Sequence, residues 1–336
     1  CAAGRQNRKW LHVALLQVDD LTRDYGFGRG VFDVTFHVDE GEVFGFLGPN
    51  GAGKTTTIRH IMGFSKPQKG TTTVDGMDSW RQAEQIQQEL GYLPGEIALP
   101  ANLTGTQFIE YMAEPRGITD MSKTEYLLQK FDLDPAGRLK RMSLGMRRKL
   151  AIVTAFMHDP RILALDEPTS ALDPIMQSTF IDFVLEEKKR GKTILLSSHV
   201  FSEVEATCDR IAIIKDGRIV SEIVTDDLRH RQDKVYDLEF LDEDDFARFT
   251  RAGRFVENSR MEIISAQAKS RRAKVGVHDN DINEFFTVLS GYSLKFLKEE
   301  KFTLEDYFLD FYDRDKDVAE GLAHVNPSQG APHVTH

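Results

Sequence analysis

The sequence has little cysteine, no long apolar run and no excess of positive charge. Its two cysteines, Cys1 and Cys208, are too few for a disulfide framework or a cysteine metal cluster, so a reducing compartment is the simpler interpretation. No apolar run approaches the ~20 residues of a membrane-spanning helix. Lys and Arg number 43 against 53 Asp and Glu, a formal net charge of −10, which gives no indication of nucleic-acid binding. Because local basic patches occur on acidic chains, an RNA-bound factor stays open as an alternative.

The two ends of the 336-residue chain differ in composition from the rest. Residues 1–12 lack both an initiator methionine and the apolar core of a signal peptide, and we interpret them as a leader or tag-like segment. A lipid-modified Cys1 is the less favoured alternative because no signal sequence precedes it. Residues 313–336 are polar and contain Pro and Gly, which is typical of a disordered tail. His333 and His336 are too few to indicate a metal site.

The most informative stretch lies between residues 48 and 56. It fits the phosphate-binding P-loop pattern G-x-x-x-x-G-K-[ST] with the residues Gly48, Pro49, Asn50, Gly51, Ala52, Gly53, Lys54, Thr55 and Thr56. The largely apolar residues 42–47 before it predict a buried strand, and residues 57–62 after it predict a helix. This strand–loop–helix context disfavours a glycine-rich turn with an incidental lysine. The chain is therefore predicted to bind a nucleotide.

The chemistry of phosphate binding explains these residue types. Glycines let successive backbone N–H groups turn inward, and the N-terminus of the following helix adds a positive field. Lys54 is expected to reach the β- and γ-phosphates, and the hydroxyl of Thr55 is expected to ligate Mg²⁺.

A second apolar run, residues 162–165, ends in Asp166 and Glu167. This is the expected form of a buried parallel strand that delivers acids to a site, and two exposed acids after a strand is the weaker alternative. In P-loop proteins the strand-end Asp holds Mg²⁺, usually through water, so Asp166 is the predicted metal residue. Glu167 is placed to polarise the water that attacks the γ-phosphate.

Two single residues have both structural and functional interpretations. His199 follows residues 193–198, which predict another buried strand. A contact with the γ-phosphate or the attacking water is favoured over the usual structural role of a lone His, chiefly because of the family resemblance described below. Tyr25 lies in a predicted turn before the P-loop. On residue type alone it is favoured as a turn or strand aromatic, and a ring on which adenine stacks is the alternative.

The order of apolar and polar residues predicts the layout around these motifs. Alternation within residues 13–47 predicts two or three antiparallel strands, with a turn at 25–30. From residue 96 to about 142 the pattern is helical, with 106–113 and 123–131 as the best segments. This indicates a helical insertion between two strands of an α/β core.

A second, smaller domain is predicted from residues 235–297. Its strands and helices follow the order β-α-β-β-α-β, which is ferredoxin-like. A charged linker, residues 226–234, precedes it. The pattern carries no catalytic constellation, so a dimer-stabilising or regulatory module is favoured, with ligand sensing as an alternative.

With these motifs in order, residues 15–228 strongly resemble the ATPase subunits of ABC transporters, most of all the type-2 drug and polymer exporter branch; the resemblance continues more weakly to about residue 312. Residues 48–56 match Walker A, and residues 162–167 match Walker B with its catalytic Glu. The remaining matches are the signature loop at 143–146, the D-loop Ser170-Ala171-Leu172-Asp173, the switch histidine His199 and the adenine-stacking Tyr25, which reverses the preference given above.

The resemblance implies an α/β fold. Its core is a P-loop NTPase of the ABC ATPase kind with an antiparallel β subdomain and a helical insertion, followed by a smaller α+β ferredoxin-like C-terminal domain. The implied bounds are 13–230 for the nucleotide-binding domain, with its helical subdomain at about 96–158, and 231–312 for the C-terminal domain. ATP and Mg²⁺ are the implied cofactors, and Glu167, His199 and Lys54 the implied catalytic residues.

Two positions depart from the family pattern. The signature, usually Leu-Ser-Gly-Gly-Gln, reads Met-Ser-Leu-Gly-Met at residues 142–146; it keeps Ser143 and Gly145, which the family uses on the γ-phosphate, so the site is expected to work. The Q-loop glutamine, which the family uses on Mg²⁺ and the transport domain, falls at Gly95. Glu96 beside it is the candidate replacement as an oxygen ligand for the metal.

The signature loop also bears on partners. Residues 143–145 open a helix and so form a second anion-binding N-terminus. In the family this loop completes the other protomer's site, which implies a head-to-tail homodimer enclosing two ATP molecules, with Ser143, Gly145 and Asp173 among the nucleotide-binding residues. The other implied partner is a separate transmembrane permease subunit. It would hold the chain peripherally at the cytoplasmic face of the cell membrane, with membrane contact only through the permease and no nucleic acid bound.

The leading hypothesis is an exporter motor that couples ATP binding and hydrolysis to transport through that permease. A drug-like or amphipathic cargo is preferred from the resemblance alone, because cargo contacts lie in the membrane subunit. A soluble ABC ATPase acting on ribosomes or nucleic acid is the alternative from another class, but those usually carry two cassettes or a long coiled-coil insertion. An importer ATPase is a further alternative, disfavoured by residues 303–309, which resemble the closing segment of exporter ATPases.

Overall fold

The computed structural model describes residues 14–229, 233–252, 260–300 and 303–308. The chain divides into two compact units, unit 1 up to Thr225 and unit 2 from Asp226. The leader (1–12) and the tail (313–336) inferred from the sequence lie outside the described residues, as do residues 230–232 of the charged linker and residue 309 of the closing segment.

Unit 1 alternates strands and helices along the chain. In order, its elements are β1 (Ala14–Gly26), β2 (Arg29–Asp39), β3 (Val43–Leu47), α1 (Lys54–Ile61), β4 (Lys69–Val74), β5 (Met77–Asp78), α2 (Ala83–Glu89), β6 (Leu90–Leu93), α3 (Gly105–Ala113), α4 (Ser122–Lys130), α5 (Leu144–Phe156), β7 (Ile162–Asp166), α6 (Pro174–Lys189), β8 (Thr193–Ser198), α7 (Phe201–Thr207), β9 (Arg210–Lys215) and β10 (Arg218–Val224). The short helix α8 (Thr225–Arg229) begins at the last residue of unit 1 and continues into unit 2.

The centre of unit 1 is a six-stranded sheet of order β10-β9-β3-β8-β7-β6. All its pairs are parallel except β9 with β10. Every residue of β3, β7 and β8 is buried, as expected for strands covered on both faces. Because parallel strands end at one edge, the P-loop after β3, Asp166 at the end of β7 and His199 after β8 meet there. The predicted α/β P-loop core is confirmed.

The antiparallel subdomain is a second sheet of order β2-β1-β4-β5. Its β1–β2 hairpin carries Tyr25 next to the turn. The sheet packs on the central one through Phe36, whose ring stacks on Phe44 at 5.1 Å and on Phe46 at 5.3 Å between centroids. This packing fixes the hairpin beside β3 and therefore beside the P-loop.

The helical insertion comprises α3, α4 and α5, between β6 and β7. A capping box starts α3: Thr104 Oγ1 accepts from the Gln107 N–H, and the Gln107 side chain accepts from the Thr104 N–H. Aromatic edges fasten the insertion to α6, since the ring of Phe183 lies 5.4 Å from Phe131 and 4.8 Å from Phe156. α5 thereby carries the signature loop on a fixed support.

Unit 2 contains β11 (Asp233–Phe240), α9 (Glu243–Ala252), β12 (Met261–Gln267), β13 (Arg272–His278), α10 (Ile282–Leu289) and β14 (Leu294–Glu300). Its sheet has the order β12-β13-β11-β14 with all pairs antiparallel. Alternate residues of β11 are buried, and Phe240 packs on Phe249 at 4.9 Å. The predicted ferredoxin-like domain is confirmed. Residues 304–308 are helical.

No helix in the described ranges combines the length and the apolar character needed to cross a bilayer.

Candidate active site

The P-loop curls between β3 and α1 in a backbone conformation that only glycine adopts easily. Gly53, the residue before α1, has a φ of 113°. Gly48 has no room for a side chain, because a Cβ there would lie 2.3 Å from the carbonyl oxygen of Ile214. The remaining P-loop positions follow the same turn, so residues 48–56 surround one cradle whose base is the N-terminus of α1.

Lys54 is buried, and its ammonium group is bound by groups of its own chain. Its Nζ donates to the carbonyl oxygens of Gly48 at 2.6 Å and Pro49 at 3.2 Å, and lies 3.0 Å from Glu167 Oε1. A phosphate entering the cradle would offer the same cation a doubly charged partner. The internal contacts therefore hold Lys54 where a phosphate would meet it.

Asp166 is completely buried between two hydroxyl donors. The Thr55 hydroxyl donates to Asp166 Oδ2 at 2.7 Å, and the Ser197 hydroxyl donates to the other carboxylate oxygen. Nearby, burial and then the charge of Asp166 raise the pKa of Tyr92 to about 12, so that phenol stays neutral. A hydroxyl and a carboxylate side by side are oxygen ligands of the kind Mg²⁺ takes in P-loop sites, so these residues fit the ion.

Glu167 lies between two nitrogen groups. Its Oε1 faces Lys54, and its Oε2 lies 2.5 Å from His199 Nδ1. The residue has a φ of 50°, in the left-handed region, and its N–H donates to the Ser197 carbonyl at 3.0 Å. Such backbone strain is typical of functional sites. The arrangement places the Glu167 carboxylate at the open side of the cradle, with its orientation set by Lys54 on one side and His199 on the other.

A cavity of about 300 Å³ lies over the cradle. Its lining includes Tyr25, Arg29, Glu167 and the P-loop residues Asn50, Gly51, Gly53, Lys54, Thr55 and Thr56. Tyr25 is 54% exposed, and the guanidinium of Arg23 lies over its ring at 5.4 Å. An aromatic face and a phosphate cradle thus border one cavity.

The signature and D-loop residues lie elsewhere in unit 1. Ser143 caps α5, its Oγ accepting from the Met146 N–H at 3.2 Å, and Asp173 caps α6. A Cβ on Gly145 would lie 3.0 Å from the Ala171 carbonyl, so the signature loop touches the D-loop of its own chain. The described lining of the P-loop cavity includes none of Ser143, Gly145 or Asp173.

Gly95 follows β6 and lies directly against the Asp166 carboxylate. A Cβ there would be 2.8 Å from Asp166 Oδ2. The next side chain, Glu96, is exposed to solvent. The structure therefore brings position 95 to the site, whereas the role given to Glu96 as a metal ligand stays a prediction.

Three further polar residues at the site were missed by sequence reasoning. Ser197 is paired in register with Asp166 across β7 and β8, and its place two residues before His199 is a signal that pointed to it. Arg148 and Glu203 are buried, and nothing in their local sequence marks them. Glu203 accepts from Ser198 Oγ at 2.6 Å and Thr169 Oγ1 at 3.2 Å; burial raises the pKa of its carboxyl to about 7, with a further raising contribution from Glu167.

The comparisons with known proteins agree with this geometry. Residues 31–170 match the family model described as ABC transporter. The chain is 35% identical over 219 residues to the ABC transporter ATP-binding protein NatA of Bacillus subtilis, covering 63% of this chain and 89% of NatA. It is 29% identical over 297 residues to the bacitracin transport ATP-binding protein BcrA of Enterococcus faecalis, covering 88% of this chain and 95% of BcrA.

A solved structure described as the ATP binding subunit of an ABC transporter superposes with a TM-score of 0.59 at 33% identity, covering 65% of this chain and 92% of that one. The similarity to BcrA spans more of the chain than unit 1 contains, so it continues into unit 2. Together with the P-loop cradle and the strand-end acids, these matches identify the chain as an ATP-binding ATPase of the ABC transporter ATP-binding protein family.

Proposed function

We propose that this chain is the ATP-hydrolysing motor subunit of an ABC exporter and works with a separate transmembrane permease. Support comes from the transport ATP-binding proteins among its relatives, NatA and BcrA. Within this proposal the chain sits at the cytoplasmic face of the cell membrane and touches the membrane only through the permease. The chain carries no net positive charge that would favour binding to nucleic acid.

The proposed reaction gives each site residue a defined role. Lys54 leaves its internal carbonyl partners and binds the β- and γ-phosphates. Thr55 and Asp166 would hold Mg²⁺, which would neutralise charge on the phosphate oxygens. Glu167 orients the attacking water and accepts its proton, and His199 holds the Glu167 carboxylate and contacts the γ-phosphate. Tyr25 stacks on adenine with its free face, since Arg23 occupies the other.

A head-to-tail homodimer is the second part of the proposal, and one observation carries it. The cavity bordered by the P-loop, Tyr25 and Glu167 has none of Ser143, Gly145 or Asp173 among its described lining residues. A second protomer would bring its own Ser143 and Gly145, at the N-terminus of α5, to the open side. Contacts to the γ-phosphate then exist only in the closed state, so hydrolysis returns the dimer to the open state.

Light scattering on the purified chain tests the dimer. With Mg²⁺ and ATP, the Glu167→Gln variant should show twice the 38.1 kDa chain mass, because γ-phosphate contacts are retained. Adding Ser143→Ala should weaken this ATP-dependent association, since the hydroxyl would face the partner's phosphate. A mass that does not change with ATP, or with Ser143→Ala, would contradict a dimer closed by nucleotide.

Replacement of Tyr25 tests the adenine site. Tyr25→Ala should raise the Kd for ATP about tenfold, because a stacked ring contributes roughly 1–3 kcal/mol per base. Tyr25→Phe should restore binding to within about twofold, since only the ring face is needed. Fluorescence titration with a labelled ATP checks both variants. An equal loss in Tyr25→Phe would instead indicate that the hydroxyl is what matters.

The domain bounds and the cargo complete the proposal. We place the nucleotide-binding domain at 13–230, with the helical subdomain at about 96–158, and the C-terminal domain at 231–312. Unit 2 would stabilise or regulate the dimer, supported by its self-contained core. BcrA carries bacitracin transport in its name, which supports a drug-like or amphipathic cargo.

A further inference from the structure

Arg148 is a buried cation that has no role in the proposed reaction. It lies on α5, one turn after Gly145, and is 3% exposed. Its guanidinium donates in two directions. Towards the loop after β6, Nη1 donates to the Pro94 carbonyl at 2.8 Å and Nη2 to the Gly95 carbonyl at 2.6 Å. Towards the D-loop, Nη2 donates to Ser170 Oγ at 2.6 Å and Nε to the Ser170 carbonyl at 3.2 Å.

The first of these loops lies against the metal-site acid. We name residues 94–96 the Gly95 loop. A Cβ on Gly95 would be only 2.8 Å from Asp166 Oδ2, so a shift of this loop by an ångström would press on the carboxylate or expose it. Gly95 has no side chain that could fasten the loop to its surroundings. The two carbonyls that Arg148 holds are therefore a direct means of setting its distance from Asp166.

The D-loop begins three residues after Glu167, and the segment from Glu167 to Ala171 is strained. Glu167 and Ala171 have φ values of 50° and 66°, which cost roughly 1–3 kcal/mol each and persist only when neighbouring contacts hold them. Between them, Ser170 is held by Arg148, and Thr169 is held by Glu203 at 3.2 Å. Arg148 is thus one of the side chains that keep Glu167 and the D-loop in this conformation.

The planar, five-donor guanidinium suits this task. A lysine ammonium is a single point of attachment and would satisfy one loop at the expense of the other. Burial lowers the pKa of Arg148, while the charges of Asp166 and Glu167 act in the opposite direction. The cation is therefore retained by carbonyl dipoles and by the two acids whose positions it affects.

We propose that Arg148 is a positioning residue, which fixes the Gly95 loop and the D-loop to α5 and thereby places Asp166 and Glu167 for ATP hydrolysis. This inference rests on the proposed roles of those two acids. In this proposal one side chain of α5, the helix that begins at the signature loop, connects the Gly95 loop to the D-loop.

Steady-state ATP hydrolysis by the full chain tests the proposal. Arg148→Gln should lower kcat about 10- to 100-fold, as expected for catalytic groups displaced by about an ångström. The KM for ATP should change less than about threefold, because Arg148 is not among the cavity-lining residues. Arg148→Lys should recover only part of the loss. The matched control is Arg147→Gln: the neighbouring arginine donates at 3.5 Å to the Lys140 carbonyl, and kcat should stay within about twofold of wild type.

A double-mutant cycle separates positioning from general destabilisation. Ser170→Ala should lower kcat by itself, and adding it to Arg148→Gln should add little to the loss caused by Arg148→Gln alone, since the Ser170 hydroxyl acts through its contact with Arg148. The proposal is overturned if Arg148→Gln keeps wild-type kcat, if the two losses multiply, or if the loss only follows a falling folded fraction. If Arg148→Gln does not fold, Arg148→Lys takes its place in the cycle. If the Glu167→Gln protein hydrolyses ATP at the wild-type rate, the proposed roles of Asp166 and Glu167 are wrong.

Discussion

Replacing Glu167 with Gln is expected to lower kcat for ATP hydrolysis at least ~100-fold, which is the low end for loss of a general base. The amide keeps the size of the side chain and can still meet His199, but it does not accept the proton of the attacking water. ATP binding should be retained or become tighter. In the free protein Lys54 is paired with Glu167 at 3.0 Å, and the amide removes that competitor for the phosphates.

Phosphate release and a labelled-ATP titration on the same preparation check this result. Glu186→Gln is the control, because Glu186 is an exposed acid on α6 that pairs with Lys130 at 2.6 Å and lies outside the cavity. Its kcat should equal that of wild type. A Glu167→Gln protein that keeps more than about a tenth of wild-type kcat would show that the carboxylate is not the base, because a general base contributes at least ~100-fold.

The second large effect is on stability. Glu203→Gln should stabilise the protein relative to wild type by about 3 kcal/mol more at pH 8 than at pH 4.5. In the native protein the pKa of Glu203 is raised to about 7 by burial, whereas an exposed Glu titrates near 4.5. The native state therefore holds the proton more tightly. The stability that this proton contributes to the native wild-type protein is fully present below pH 4.5 and is lost as the pH rises through 7.

Above pH 7 the wild-type chain carries an ionised, buried carboxylate near the charge of Glu167, while a glutamine stays neutral and still accepts from Ser198 and Thr169. Urea unfolding at a series of pH values measures the difference. Glu205→Gln, two residues further along α7 at a less buried position, is the control and should show a much flatter difference. A Glu203→Gln difference that does not vary with pH would contradict a protonated native Glu203.

Much of the fold was predictable because its signals are local. The alternation in β11, the continuous apolar runs of β7 and β8, and the glycine spacing of the P-loop each determine a backbone conformation within a few residues. The α/β core, the antiparallel subdomain and the ferredoxin-like unit are confirmed on that basis. Membership of the ABC ATPase family is confirmed as well, from several ordered motifs rather than from one.

What escaped prediction depends on contacts between distant segments. β6 has only four residues and follows α2 without a break, so no turn marks it; pairing with β7 makes it a strand. Arg148 reads as one more charge on a basic helix, and only the fold shows it buried against residues 94, 95 and 170. In the sequence Glu203 is an ordinary acidic residue. Only the fold shows that its carboxylate is buried and accepts hydrogen bonds from Ser198 at the end of β8 and from Thr169 after Glu167.

The measurement that tests the exporter motor most directly is purification of the chain from its native membranes in mild detergent, followed by identification of what co-purifies. The expected result is one polypeptide with several membrane-spanning helices of ~20 apolar residues each, recovered together with the ATPase. Its presence should stimulate hydrolysis by wild type but not by Glu167→Gln. Recovery of ribosomal proteins or nucleic acid with no membrane protein would contradict the transporter assignment and leave the ATPase chemistry in place.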